Sequence, residues 1–449
     1  MSNSDQKQPQ HRLASTLPAG TKTRQLAMEV LRGVLHRQRK AEPELEQAFA
    51  QLTEAKDRAL LHQIVLGSLR HFFTLEADFS RFLKHKPDPL LQVALLVGAF
   101  QLRHLHTPPH AALHATVEAI KHDTSKQKVS KHTVLTRIAT CNAVLRKLAA
   151  TAPPNHYKPQ QRCQLPKWIY SHWRDAYGAD TVSMMMEHAP TQPPFTMAAM
   201  GDRATLLAHW QAAGIDARAG KLSPQAIILP AGTPLDMLSG FDDGGCTVMD
   251  QAAQLAALAL PPSSGICLDI CAAPGGKYAL LSNMMGNVVA LELEGKRMGR
   301  LQQNCQRLRL DRATLLQGDA LTPPFQAGSA DRIMLDAPCT ASGLLRRHPD
   351  ARFGHDEADM RRLAIQQQQM IRAALPLLKS DGVLAYCVCS IHPQENEQVI
   401  APLLESGTAQ PVALPPLLQP FAIAPGMARL LPGDENDGFF IALLQNVCL

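Results

Sequence analysis

The sequence predicts a multidomain chain with three folded parts: an all-α helical domain, a small α/β domain, and a Rossmann-like α/β domain with a mostly parallel sheet. Three observations carry that prediction. Helical periodicity runs from Lys22 to about Ala150 with no strand pattern in between. A proline-rich break, TAPPNHYKPQQ, follows at 151–161. From Thr247 onward, short apolar runs alternate with helical text, the pattern of parallel strands covered on both faces. The length of 449 residues is enough for two or three cores.

Residues 1–21 are polar and rich in Gln, Ser and Pro, which predicts a disordered tail, and they lack the apolar stretch of a secretory signal. In 22–150, TRQLAMEVLRGVLHR sets Leu26, Val30, Leu31 and Val34 at helical spacing, and DRALLHQIVLGSLRHFF sets Leu60, Ile64 and Leu69 on one stripe. Stretches at 89–105, 110–121 and 133–149 repeat the pattern. The longest apolar run, 90–102, is too short to span a bilayer and reads as a buried helix, so no membrane association is expected. Residues 151–164 read as a linker. In 165–240, LPKWIYSHWRDAYG reads as a helix with an aromatic face; PFTMAAM, ATLLAHWQAAGI and AIILP then read as strand, helix and strand of a small α/β (RRM-like) subdomain. The last part, 241–449, supplies the strands GICLDIC, NVVALEL, ATLLQGD, DRIMLDAP and GVLAYCVCS.

The net charge of +6 is unevenly placed. Residues 1–150 hold 22 Lys and Arg against 12 Asp and Glu, so this third is strongly basic and the remainder mildly acidic. That asymmetry fits a polyanion-binding half, and it fits a solvated helical surface equally well. The ten Cys are scattered with no CxxC pair, so reduced thiols, no zinc site and a cytoplasmic setting are expected.

GICLDICAAPGGKYALL, residues 265–281, is an apolar strand, a tight turn of small residues and a helix. Gly275 and Gly276 let backbone approach a ligand beside a helix N-terminus. Glu292 closes the second strand, where an acid accepts hydrogen bonds from ribose hydroxyls. Asp319 follows the third strand, where an adenine amino group would lie. GxGxxG is absent, so the pocket is adenosine-type rather than dinucleotide-binding; a close-packed strand-to-helix turn without a ligand has the same local text. DRIMLDAPCTASGLLRRHPD, residues 331–350, puts Asp336 at the C-terminal edge of the fourth strand, and Ala337 and Pro338 then turn the chain to present Cys339. Arg346, Arg347 and His348 form a basic cluster suited to RNA phosphate, or else a solvated turn. On the fifth strand Cys387 and Cys389 share a face; Cys389 lies nearer the pocket and Cys387 reads as a core thiol.

CAAPGGK, DAPCTASG…RRHPD and YCVCSIHPQENE resemble motifs I, IV and VI of the RNA cytosine-5 methyltransferases. VMDQAAQ (248–254) and LLPGDENDGFFIALL (430–444) match flanking blocks of that family, and the all-α segment resembles a NusB-like RNA-binding domain through DRALLHQIVLGSLR and NAVLRKLA. The whole arrangement is similar to the Fmu/Sun family of bacterial 16S ribosomal RNA methyltransferases. The resemblance implies a NusB-like domain over 22–150 and a class I methyltransferase domain over 241–449. It implies S-adenosyl-L-methionine as cofactor, no metal, and 16S ribosomal RNA, unassembled or partly assembled, as partner; a monomer is expected. It further implies that the Cys389 thiol adds to cytosine C6, that Cys339 serves release, that Asp336 holds the N3/N4 edge of the base and that Lys277 adds positive charge. The cofactor contacts it implies are Cys271, Ala272, Ala273, Pro274, Gly275, Gly276, Lys277, Glu292, Asp319 and Asp336. The target base must leave any stack to reach such a pocket. The chain departs from the family pattern at Val388 and Tyr278, where Thr is usual, at Glu292, where Asp is usual, and at MAAM (197–200), which replaces an Arg-x-Asn strand. Two alternatives stay open at this level: the same chemistry on another RNA such as transfer RNA, and a non-catalytic RNA-binding assembly factor.

Overall fold

The computed structural model describes residues 20–105, 107–124 and 129–447. The described residues fall into two compact units that divide between Tyr157 and Lys158. The tail expected over 1–21 lies outside the described residues as far as residue 19, and Thr21 already begins the first helix.

The first unit is helical: α1 (Thr21–Arg37), α2 (Ala41–Phe49), α3 (Ala55–Arg70), α4 (Phe72–Ser80), α5 (Pro89–Arg103), α6 (Pro109–Thr124) and α7 (Lys131–Ala150). Its centre is α5, buried without a break from Leu90 to Gln101. Pro89 at the first helical position and the Asp88 carboxylate, which accepts from the Leu90 and Leu91 N–H groups, start that helix. Inside, the Arg24 guanidinium donates to Gln101 at 2.9 Å, and Gln101 donates to the Val97 carbonyl and the Thr116 hydroxyl. The buried stripe of α3 runs through Leu61, Ile64, Val65 and Leu69, with Leu60 half-buried beside it. Spacing of three and four residues from Leu61 gives that face, so the stripe started from Leu60 is one residue out of phase.

The second unit begins with a helical turn, Pro159–Arg162, inside the stretch read as a linker. Its small sheet has β1 (Phe195–Ala199), β2 (Arg218–Ala219), β3 (Ala226–Leu229) and β4 (Cys246–Val248), all antiparallel in the order β2-β3-β1-β4. MAAM is the centre of this sheet, with Met197, Ala198 and Ala199 buried. The fourth strand comes from beyond residue 240. The aromatic helix Lys167–Tyr177 packs elsewhere: Ile169 and Trp173 share a core with Leu345 and Ile391.

The large sheet contains β5 (Ser263–Ile270), β6 (Met285–Glu292), β7 (Thr314–Gln317), β8 (Ala330–Asp336), β9 (Leu378–Val388), β10 (Ala409–Pro411), β11 (Ala422–Ala424), β12 (Met427–Leu430) and β13 (Phe439–Asn446). The run β7-β6-β5-β8-β9 is parallel; β13, β12 and β11 continue from β9 antiparallel, and β10 pairs with β13. Strand order reverses between β5 and β8, which opens a crevice at their C-terminal ends. Among the described residues no helix is long and apolar enough to cross a membrane.

Candidate active site

Asp269, near the end of β5, leads into the turn Cys271–Gly276, which breaks from the sheet through positive φ at Cys271 (65°) and Gly275 (103°). A Cβ on Gly275 would lie 2.6 Å from Leu301, so the turn needs glycine on both counts. The turn is pinned to β6: the N–H groups of Cys271 and Ala272 donate to the Leu291 carbonyl, and that of Ala273 to Glu292 Oε2 at 3.2 Å. Arg297 and Asn304 donate to the carbonyls of Ala273 and Pro274. Over this turn opens a cleft of about 280 Å³. Cys271–Pro274, Gly276, Lys277, Asp336 and Cys389 line it, together with Asp269, Asp250, Arg347, Asp437 and Phe439.

The two thiols read from the sequence meet here. Cys339, after β8, and Cys389, the first residue beyond β9, have their Sγ atoms 3.3 Å apart. Of the two, Cys389 lines the cleft and Cys339 does not; both are half-buried. The hydrogen bond to Cys389, then burial, then the charges of Cys389 and Glu395 push the Cys339 thiol well above its ordinary value. Lys277 Nζ donates to Asp336 Oδ2 at 2.8 Å and stands 5.0 Å over the Phe439 ring. Burial opposes the ammonium, but Asp336 and the neighbouring thiols outweigh it, so Lys277 stays charged. Cys387 is fully buried, with Sγ 3.5 Å from both Met334 Sδ and Asp336 Oδ1, as a core thiol.

Gly275, Glu292 and Asp319 do not line the cleft. Glu292 is buried: it accepts from the Ala273 and Glu294 N–H groups and pairs with Arg297 at 3.3 Å, so it braces the turn. Asp319, half-buried, caps its own loop by accepting from the Leu321 N–H. The basic cluster is turned inward. Arg346 donates to the carbonyls of Gln192 and Asp434, and Arg347 pairs with Asp437 at 2.7 Å and Asp250 at 3.3 Å. One guanidinium against two carboxylates leaves no surplus positive charge for phosphate, so Arg347 is a wall of the cleft; His348 alone of the three is exposed.

Asp269 was not singled out by sequence reading. It is fully buried, lines the cleft, and neither carboxylate oxygen has a partner among the described residues. Burial first, then Asp336, push it up to about 8. An orphaned carboxylate beside a glycine turn suits a ligand carrying an ammonium group, and S-adenosylmethionine has one. Asp269 ends a strand at the active edge just as Asp336 does, so the signal was present. Asp250 and Asp437 lie 187 residues apart and meet where the Asp437 N–H donates to Asp250 Oδ1, which no local spacing announces. The segment after Cys389 rests on the aromatic helix: Trp173 Nε1–H donates to His392 Nδ1 at 3.2 Å, and the Tyr177 hydroxyl donates to the Ile391 carbonyl. Burial, with His172 beside it, lowers His392 to about 3, so it is neutral and structural. Tyr278, in place of the usual Thr, donates to the Val288 carbonyl and accepts from the Thr314 N–H, tying β6 to β7.

Comparison with known proteins bears on the same segments. Residues 256–445 match the family described as 16S rRNA methyltransferase RsmB/F, residues 21–150 the NusB family, and residues 165–236 the ferredoxin-like domain of RsmF/B-like methyltransferases. Ribosomal RNA small subunit methyltransferase B of Serratia proteamaculans is 35% identical over 405 residues, covering 87% of this chain and 90% of that protein. The protein of the same name from Citrobacter koseri is 32% identical over 410 residues, covering 87% and 91%. In fold, a crystal structure of PH0851 superposes with a TM-score of 0.78 at 22% identity, over 96% of this chain and 99% of that one. With a NusB domain, a ferredoxin-like domain and this catalytic sheet in one sequence, the chain belongs to the RsmB/F family of 16S rRNA methyltransferases.

Proposed function

We propose that this methyltransferase modifies C5 of a cytosine in 16S ribosomal RNA through a transient bond between the Cys389 sulfur and C6. The observation that carries the reading is the pair of thiols: two sulfurs just beyond the ends of β8 and β9 at 3.3 Å, one on the wall of a cleft that also holds Lys277 and Asp336. S-adenosyl-L-methionine, when bound, supplies the methyl group.

Cytosine C5 is a weak nucleophile. Addition of the Cys389 sulfur at C6 breaks aromaticity and makes C5 enamine-like. Asp336 holds the N3/N4 edge of the base, and Lys277, 2.8 Å away, keeps that carboxylate oriented. After methylation the C5 proton must go to a base and the C6–sulfur bond must break, returning the electrons to Cys389. Cys339 takes that part. Its high pKa is owed first to the hydrogen bond with Cys389 and in part to the charge there. Once the Cys389 sulfur is bonded to carbon, both causes are gone, so Cys339 gives up its own proton to solvent more readily and, as the thiolate, accepts the C5 proton.

Labelled methyl donor and small-subunit RNA provide the test. Wild type transfers label to cytosine C5. Cys339→Ala accumulates a protein–RNA adduct stable to denaturant, and Cys389→Ala forms none and transfers nothing. Full transfer by Cys389→Ala would remove the nucleophile assignment; RNA binding without transfer by wild type would favour an assembly factor.

A further inference from the structure

Glu395 is fully buried, and among the described residues no cation faces its carboxylate. Four donors satisfy it instead. Oε1 accepts from the Thr340 N–H at 3.0 Å and from Gln367 Nε2 at 3.1 Å. Oε2 accepts from the Thr340 hydroxyl at 2.5 Å and from the Ser390 hydroxyl at 2.6 Å. Thr340 follows Cys339 and Ser390 follows Cys389. Gln367 also donates to the Pro338 carbonyl at 2.8 Å, and the Tyr386 hydroxyl donates to the Glu395 carbonyl at 2.7 Å. A bare carboxylate in a dry interior is costly, so an anion held by neutral donors alone is a fixed point around which those donors are arranged.

We propose that Glu395 is a positioning residue that sets the distance between the two thiols by holding the residue after each of them on one carboxylate. Other ties between the loops exist: Gly343 N–H donates to the Cys389 carbonyl at 3.0 Å, and the Ser342 and Ser390 hydroxyls are 2.9 Å apart. Those fix Cys389 to residues 342–343, and the Thr340 and Ser390 hydroxyls meet each other directly only at 3.4 Å, side chain to side chain. Glu395 reaches the backbone of Thr340, next to the Cys339 sulfur itself. Its bonds also predict which replacement is tolerated. Gln keeps an oxygen for the Thr340 and Gln367 N–H donors and offers an NH₂ to the two hydroxyls; Ser390, which already accepts from the His392 N–H at 3.2 Å, accepts it by turning its own proton to the Ser342 hydroxyl 2.9 Å away. Ala leaves the buried Thr340 N–H and one of the two Gln367 amide N–H groups unpaired, the other still donating to the Pro338 carbonyl.

The consequence for turnover rests on the covalent reading above; the spacing of the sulfurs does not. Phenylarsine oxide reports that spacing directly: two thiols each form a sulfur–arsenic bond, and the oxide oxygen leaves as water with both thiol protons. Capture assigned to this pair is the part lost in Cys339→Ala and in Cys389→Ala. In Glu395→Ala that capture slows about tenfold or more, because a small misplacement of one reacting group is enough. Glu395→Gln stays within about threefold of wild type. In turnover Glu395→Ala lowers kcat with KM for RNA little changed, and Glu395→Gln restores it. Wild-type capture rates in a folded Glu395→Ala protein overturn the proposal. Should that variant fail to fold, Thr340→Val, which deletes one donor at constant shape, must slow capture; unchanged capture there overturns it equally. If capture follows the prediction while Cys389→Ala still transfers methyl groups, the positioning role stands and the covalent reading falls.

Discussion

At the scale of single residues, Asp269 shows function set against stability. Its carboxylate is buried without a partner and sits at about 8, because burial and Asp336 both disfavour the charge. An unfolded Asp loses its proton near pH 4, whereas the folded one keeps it to about pH 8. Between those values the native state holds the extra proton, so this group makes stability fall as pH rises. Asp250, raised to about 7 by burial and Asp437, acts in the same direction. Melting temperatures of the ligand-free protein should therefore decline from pH 5 to pH 8, and Asp269→Asn should flatten the decline. The same variant should bind S-adenosylhomocysteine, which carries the ammonium group, at least about tenfold more weakly, or about 1.4 kcal/mol. Calorimetry of the wild type at pH 7 in buffers of different ionisation enthalpy should show proton release on binding. A steeper decline in the variant, or no released proton, would remove Asp269 as the ammonium partner. Charge type was legible at this scale but partners were not: the sequence displays Arg346 and Arg347 as a free basic pair, and only the fold reveals the carbonyls and carboxylates that absorb them.

At the scale of elements, apolar strands were legible because parallel strands buried on both faces read as continuous apolar runs; β5, β6, β8 and β9 are of that kind. Strands β2 and β4, two and three residues long, are shorter than any periodicity they could display. Crossings of loops are equally silent in the sequence. The loop after β8 meets the segment before β13 at Gly343 and Gly438: the Gly438 N–H donates to the Gly343 carbonyl at 2.8 Å, and a Cβ on Gly343 would lie 2.2 Å from the Gly438 carbonyl oxygen. Because Gly343 also donates to Cys389, this contact sets the cleft wall carrying Asp437 and Phe439 against the thiols. Gly343→Ala should push that wall away, costing about 1–3 kcal/mol of stability. Methyl transfer should fall further than the loss of folded protein explains. Thermal unfolding alongside turnover at a temperature where the variant is fully folded checks this, and wild-type values for both would refute the crossing's role.

At the scale of the whole molecule, charge divides the chain as the fold does. The basic excess of residues 1–150 lies in the helical unit, and the chemistry lies in the other. Both units were legible in outline, since helical and parallel-sheet periodicities differ and a proline-rich stretch separates them. The site's inner wiring was not, since it joins segments far apart in sequence. A basic helical unit that serves as the RNA anchor should release counterions from RNA, so affinity should fall with salt in proportion to the phosphates it engages. Lys84, Lys86 and Lys131 are exposed, and the Asp88–Arg137 pair at 3.0 Å brings the segment before α5 against α7. Replacing all three lysines with Glu should weaken binding to small-subunit RNA and reduce the slope of log affinity against log salt by about 2, near 0.7 for each lost contact. S-adenosylhomocysteine affinity should be unchanged, because the cleft is built wholly from the second unit. An unaltered salt slope would mean that the helical unit's charge is solvated surface, and the RNA contacts would then have to be sought around the cleft itself.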